Sequence, residues 1–209
     1  LEAPKEDFIK AMQCSLILYA EHEFNASTFT ARICASTKSD IFSAVAAAIG
    51  ALRGPLHGGA NEAAMHLIES FKSVEDAIKG VNKKLENKEL LMGFGHRVYG
   101  LGGDPRNALI KVWSKHLGGD DLLFKISEAI EALMKEKRPS LPPNADFYSA
   151  SAYYFMGIPT EYFTPIFIMS RVSGWCAHIK EQRANNKLIR PSSEYIGVEP
   201  RKLVKIQDR

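Results

Sequence analysis

Almost throughout this chain, apolar residues recur at intervals of three and four, and no segment alternates convincingly with a period of two. A chain patterned this way buries stripes along helices, so its core has to be built by helix packing on helix. After Pro4, which suits a first helical turn, Phe8, Met12, Leu16 and Tyr19 share one face. Ser39-Asp40 caps a stripe of Phe42, Val45, Ile49 and Leu52, and Gly58-Gly59 precedes one of Ala63, Ala64, Leu67, Ile68 and Phe71. Ser73-Val74-Glu75-Asp76 reads as a capping box ahead of Ala77, Ile78, Val81 and Leu85. Asp104-Pro105 pairs an N-cap with proline at the first helical position. Asp120-Asp121 opens a helix with Leu123, Ile126, Ile130, Leu133 and Met134, and Thr164-Pro165 opens another that runs to about Asn185. The predicted fold class is all-α with short connections.

Composition enters where it excludes functions. The 209 residues carry Lys+Arg 27 against Asp+Glu 24, interspersed and without a polybasic run, which argues against a nucleic-acid partner. The longest apolar stretch, Ile41 to Leu52, is too short to cross a bilayer, so no membrane is expected. Cys14, Cys34 and Cys176 lie far apart with no Cys-x-x-Cys, which fits reduced thiols and a cytoplasmic location. The opening Leu1-Glu2-Ala3-Pro4 has neither the basic nor the apolar region of a secretory signal, and the absence of an initiator Met points to a processed chain or a piece of one. His22-Glu23 does not continue to a second histidine and no metal-ligand spacing occurs, so no metal is expected. Gly93-x-Gly95 lacks the third glycine and the preceding strand of a dinucleotide site, and no P-loop or nucleophile elbow is present.

The chemistry-bearing residues sit in loops. Gly54-Pro55-Leu56-His57-Gly58-Gly59 and Gly93-Phe94-Gly95-His96-Arg97 each set a histidine among glycines that let backbone approach a ligand. Each histidine is expected at a helix mouth, where the dipole favours a neutral imidazole able to donate to a developing oxyanion. A tight turn with an incidental histidine is the alternative reading of either loop. Leu141-Pro142-Pro143-Asn144-Ala145-Asp146 delivers a carboxylate to a helix start, as an N-cap or as a general base for carbon-acid deprotonation. Arg106 lies at a helix start, Arg190 in a loop before Pro191, and Arg171 amid Phe167, Ile168, Met169 and Val172. A guanidinium among apolar neighbours has to find an anion. The three arginines form either a dicarboxylate clamp or three separate salt bridges. His66, His116 and His178 read as ordinary helical histidines.

Taken together, these segments resemble the citrate synthase family. The resemblance is carried by Ala20-Glu21-His22-Glu23-Phe24-Asn25-Ala26-Ser27-Thr28, Gly54 through Glu62, Gly93-Phe94-Gly95-His96-Arg97-Val98-Tyr99 with Asp104-Pro105-Arg106, Asn144-Ala145-Asp146-Phe147-Tyr148-Ser149, Phe167-Ile168-Met169-Ser170-Arg171 and Ile189-Arg190-Pro191-Ser192, in matching order and spacing. Phe24 through Arg32 and Thr160 through Pro165 look most like the 2-methylcitrate synthase branch.

The resemblance implies condensation of an acyl-CoA with oxaloacetate, followed by thioester hydrolysis. Propionyl-CoA is the acyl donor implied by the branch, acetyl-CoA is the alternative, and a non-catalytic anion-binding helical fragment is a further one. Asp146 matches the base, His57 the donor to the enolate oxygen, and His96 the group that polarises the ketone. His22, Arg106 and Arg171 match oxaloacetate ligands, Phe167 an aromatic beside the substrate, and Arg190 an arginine reaching the other subunit's site in a homodimer. Leu91, Met92, Gly93, Phe94 and Gly95 resemble the loop that holds coenzyme A, and Arg97, Lys137 and Arg138 are looser candidates for its phosphates. Coenzyme A is a substrate here, and no resident cofactor is implied. The implied fold is citrate-synthase-like and multi-helical, with a complete small domain at 59–157 and partial large-domain segments at 1–58 and 158–209. This chain covers little more than half of the family's length, so the resemblance implies a C-terminal piece of a longer parent. Ala145 is smaller than the aliphatic residue often found before the base, which either leaves room for an extra methyl or reflects drift alone.

Overall fold

The computed structural model describes residues 3–208. Among these residues the fold comprises nine α-helices: α1 (Glu6–Tyr19), α2 (Ala26–Ser36), α3 (Ile41–Leu52), α4 (Ala60–Glu69), α5 (Val74–Glu86), α6 (Pro105–Gly118), α7 (Leu122–Lys137), α8 (Ala145–Phe155) and α9 (Phe163–Ala184). No strand is formed among the described residues, in agreement with the all-α expectation. An isolated bridge pairs Phe94 with Pro143.

Helix starts follow the local caps. Asp40 accepts from Ser43 N, Ser73 from Asp76 N, Asp104 from Arg106 N and Asp121 from Leu123 N. Asn25 and Asn144 cap α2 and α8 in the same way. Each such cap satisfies an amide that would otherwise lack a partner and contributes about 1 kcal/mol. Three local expectations are corrected. Pro4 lies just outside α1, whose N-cap is Lys5. Helix α9 begins at Phe163, led in by a 3-10 turn over Thr160–Tyr162, so Thr164 is not its cap. Instead Thr164 Oγ1 donates to Glu62 Oε2 at 3.1 Å, tying the start of α9 to the start of α4. The inward face of α3 is Ala44, Ala48 and Leu52, while Phe42 is 82% exposed. Ala31 and Ala35 of α2 pack with these alanines in one cluster, and small side chains allow the two helices a close approach that Phe42 would prevent.

Two clusters of buried side chains form the interior. One is built mainly on α4 through α8 around Met65, Ile68, Ile110, Phe124, Ile130, Phe147 and Tyr153. The other joins α1, α2, α3 and α9 around Tyr19, Leu52, Phe167, Trp175 and Ile179. The seam between them cuts through two helix starts. Ala145 belongs to the second cluster and Phe147 to the first, and Ile166 to the first and Phe167 to the second. Asp146 lies on that seam, where neither core covers it completely.

Candidate active site

A cavity of about 440 Å³ opens at the seam. It is lined by His22, His57, Leu91 through Arg97, Arg106, Asp146, Phe167 and Arg171, which are most of the residues singled out in the sequence, together with Tyr19, Phe24 and Asn144.

Asp146 is at the second position of α8, and Asn144 is the cap: its side chain accepts from Asp146 N at 3.0 Å. The Asp146 carboxylate is therefore not used as a cap. It accepts from the Tyr19 hydroxyl at 2.7 Å and faces the cavity. Burial pushes its pKa above the usual carboxylate value, while the Tyr19 hydrogen bond and the nearby Arg106 charge pull the other way. A carboxylate made more basic in this way suits proton abstraction from a weak carbon acid.

His57 ends a turn in which its own N–H donates to Gly54 O at 2.9 Å. The backbone N–H of Ser27 donates to His57 Nε2 at 3.3 Å, so Nε2 is an acceptor and the ring proton sits on Nδ1. Ser27 Oγ lies 2.8 Å from the same Nε2 and accepts from Trp175 Nε1 at 3.1 Å. Burial, then the Arg171 charge, lowers the His57 pKa to about 4. The ring is thus neutral near pH 7 and has an N–H to donate.

His96 is also neutral, held below its usual pKa by burial and then by Arg106. The N–H of Val98 donates to His96 Nδ1 at 3.0 Å, which leaves the proton on Nε2. The expected helix mouth is present only for His57, which stands just before α4. His96 is followed by turns, and α6 begins at Pro105. His22 lies edge-on to His96 with ring centroids 4.9 Å apart, and its Nε2 is 2.8 Å from the Tyr99 hydroxyl. Burial, with the Arg106 charge next, lowers its pKa to about 4.

The arginines divide. Arg106 is half of a bidentate pair with Asp104, Nε to Oδ1 at 3.0 Å and Nη2 to Oδ2 at 2.7 Å. That pair outweighs burial, so the Asp104 pKa lies below, and the Arg106 pKa above, its usual value. Arg171 is 1% exposed and no carboxylate among the described residues pairs with it. Its Nε donates to Tyr19 O at 2.6 Å, its guanidinium lies 4.8 Å from the Phe167 ring centroid, and its Nη1 is buried with no hydrogen-bond partner. Burial, with Arg106 second, lowers its pKa to about 10, so it remains charged at neutral pH. A buried cation without a counter-charge is costly unless an anion arrives.

Some expected residues lie elsewhere. Arg190 is exposed on the segment after α9 and outside the cavity. Lys137 and Arg138 line a separate groove with Asn82, Leu85 and Glu86 at the ends of α5 and α7. Ala145 is 2% exposed, belongs to the second core cluster and does not line the cavity. Among the described residues no group of His, Cys, Asp or Glu is arranged to hold a metal ion.

Several site residues escaped sequence reasoning. Tyr19 was one member of an apolar stripe and Asp104 only a cap, yet Asp104 Oδ2 also accepts from Ala145 N at 3.0 Å. Ser27 and Trp175 carried no separate signal. Their partners lie 30 or more positions away in sequence, beyond the reach of any local pattern.

The chain belongs to the citrate synthase family: residues 1–192 match the family described as citrate synthase, C-terminal domain. It is 61% identical over 211 residues to a 2-methylcitrate synthase of Shewanella oneidensis, covering 100% of this chain and 56% of that protein. It is 51% identical over 211 residues to the protein called citrate synthase 2 of Bacillus subtilis, again covering 100% of this chain and 56% of the relative. In structure it is similar to citrate synthase of Thermoplasma acidophilum in ternary complex with carboxymethyl coenzyme A and oxaloacetate, with TM-score 0.93 and 37% identity over 100% of this chain and 57% of that one. The chain therefore spans a little over half the length of these relatives.

Proposed function

We propose that the protein carrying this chain condenses propionyl-CoA with oxaloacetate and hydrolyses the product thioester, giving 2-methylcitrate and free coenzyme A. One observation carries this reading. A basic carboxylate, a neutral imidazole with a free N–H and a buried, unpaired guanidinium line the same cavity. A reaction that joins carbon-acid chemistry to an anionic co-substrate uses all three.

In this mechanism Arg171 and Arg106 neutralise the oxaloacetate carboxylates, with His22 beside them, and orient the ketone carbon. Arg190 of the partner subunit completes this clamp in a homodimer. Asp146 takes a proton from the carbon next to the thioester carbonyl. The electron pair of that C–H bond forms the C=C bond of the enolate, and the carbonyl π pair moves onto the oxygen, which accepts a hydrogen bond from His57 Nδ1–H. The enolate carbon then attacks the ketone carbon, whose oxygen is polarised by the hydrogen bond from His96 Nε2–H. The resulting alkoxide is protonated to the alcohol with the proton that Asp146 removed, so that both groups return to their starting states. Water attacks the thioester carbonyl, and coenzyme A leaves as the thiol. The segment 59–157 closes over the flanking helices to keep water out until the carbon–carbon bond exists. Leu91 to Gly95 and Arg97 line the cavity, and in this reading they hold coenzyme A.

The acyl preference rests on the 61% identical 2-methylcitrate synthase. The 51% identical citrate synthase 2 supports acetyl-CoA as the second reading. One methylene separates the two donors, a difference of about 1–3 kcal/mol in a pocket. The test is thiol release from propionyl-CoA and from acetyl-CoA by the full-length protein, with and without oxaloacetate. Release is expected to require oxaloacetate, to be faster with propionyl-CoA, and to be lost in Asp146→Asn. Release that survives Asp146→Asn overturns the mechanism, and a faster rate with acetyl-CoA selects the second reading.

A further inference from the structure

Tyr19 closes α1 at the floor of the cavity, is 3% exposed, and touches three parts of the site with three different groups. Its hydroxyl donates to Asp146 Oδ1 at 2.7 Å, its carbonyl accepts from Arg171 Nε at 2.6 Å, and its ring packs on Phe167 with centroids 4.3 Å apart. A carboxylate only accepts, so the shared proton belongs to Tyr19. Ser149 Oγ, one turn along α8 from Asp146, lies 2.8 Å from the Tyr19 oxygen and orients the hydroxyl from the other side.

Building on the proposed condensation, we propose that Tyr19 is the positioning residue for the base: it occupies Asp146 Oδ1 and leaves Oδ2 as the oxygen that receives the substrate proton. The arrangement follows from how a carboxylate rotates. Without a fixed partner on one oxygen, the group turns about its Cβ–Cγ bond and presents either oxygen at a range of angles. Pinning Oδ1 from a buried ring removes that freedom where a near-attack geometry needs it. The hydrogen bond also favours the charged form and so acts against the effect of burial. Because the oxaloacetate side is held through the Tyr19 carbonyl, removing the hydroxyl leaves Arg171 in place.

The test compares wild type, Tyr19→Phe and Ser149→Ala in the full-length protein. Three quantities are read: the pH profile of kcat/KM for the acyl-CoA, the KM for oxaloacetate, and the pKa of the Asp146 carboxyl by 13C NMR titration. Tyr19→Phe is expected to lower kcat about tenfold. Its acidic limb and carboxyl pKa should move up by roughly one unit, the scale of one hydrogen bond to a charged group. Its oxaloacetate KM should stay within twofold. Ser149→Ala, which leaves the Tyr19–Asp146 bond intact, is expected to shift both in the same direction by less. A Tyr19→Phe protein whose acidic limb and carboxyl pKa match wild type overturns the proposal, as does one in which oxaloacetate binding falls in step with kcat. A wild type that releases no thiol sinks the condensation reading alone, since the carboxyl titration still decides whether Tyr19 holds Asp146.

Discussion

The two glycine-histidine loops look alike in sequence and are built differently. The loop around His57 is the folded-back end of α3: Gly58 N donates to Leu52 O at 2.7 Å, and Gly59 N to Gly54 O at 3.3 Å. Its glycines serve close approach, since a Cβ on Gly58 would lie 2.7 Å from Leu52 O. The loop around His96 depends on left-handed backbone, with φ +86° at Gly93 and +76° at Gly95. It is held from outside, by Asn144 N on Gly93 O, by Gly95 N on Pro142 O, and by Asn144 Nδ2 on Gly95 O. The imidazoles differ as well. His57 is set by an N–H from α2 and presents Nδ1–H, whereas His96 is set within its own loop and presents Nε2–H. One composition therefore yields two opposite tautomers, chosen by where the nearest backbone donor lies.

The largest effect that sharpens this contrast is catalytic. His57→Ala and His96→Ala are each expected to lower kcat by about 10²–10³-fold, the cost of removing one preorganised donor. They should separate on ligand binding. Stabilisation of the protein by oxaloacetate, read by thermal unfolding, should survive His57→Ala and shrink in His96→Ala. Equal losses would mean that the two rings do not serve different substrates.

A smaller effect tests the backbone difference. Gly93→Ala forces a side chain into positive φ with its Cβ 3.0 Å from Phe147 Cβ, and should cost about 1–3 kcal/mol in urea unfolding. Gly54→Ala meets only Ala51 O at 3.6 Å and should stay within about 0.5 kcal/mol. If the two glycines tolerate alanine equally, the loops are not distinguished by conformation.

The smallest effect concerns pH. His57 and His22 have native pKa values of about 4, below the ordinary 6.5. Between those values the unfolded chain binds more protons than the native one, so stability rises with pH across that window and is lost as pH falls from 6.5 towards 4. The urea midpoint should therefore drop between pH 7 and pH 5, and the drop should diminish in a His57→Gln protein. A midpoint that responds identically in both proteins would remove His57 from the acid response.

What could be read in advance follows the range of each interaction. Caps such as Asp40, Ser73 and Asp121 act over two or three residues, so their meaning is contained in a short window. Arg171 was legible for another reason: a guanidinium on an apolar stretch must find an anion wherever the helix goes, and its buried Nη1 waits for one. Phe42 misled because hydrophobicity marks a helical stripe without saying which stripe faces inward, and α3 buries its alanines instead. Tyr19 and Asp104 were hidden because their partners, Asp146 and Ala145, come more than 40 and up to 127 positions later. A site assembled across such distances shows its parts in sequence but not its wiring.

Asp104 has a kinematic consequence. One carboxylate grips Arg106 at the start of α6 and the first amide of α8, and Asn144 at the same helix start holds the His96 loop. Arg106, Asp146 and His96 are therefore tied to one another through Asp104 and Asn144. His57, His22 and Arg171 stand on the facing elements, and Tyr19 joins the two groups through its bonds to Asp146 and Arg171. Any displacement of one group against the other has to break the Tyr19–Asp146 hydrogen bond, so the contact that orients the carboxylate also latches the two sides of the cavity together.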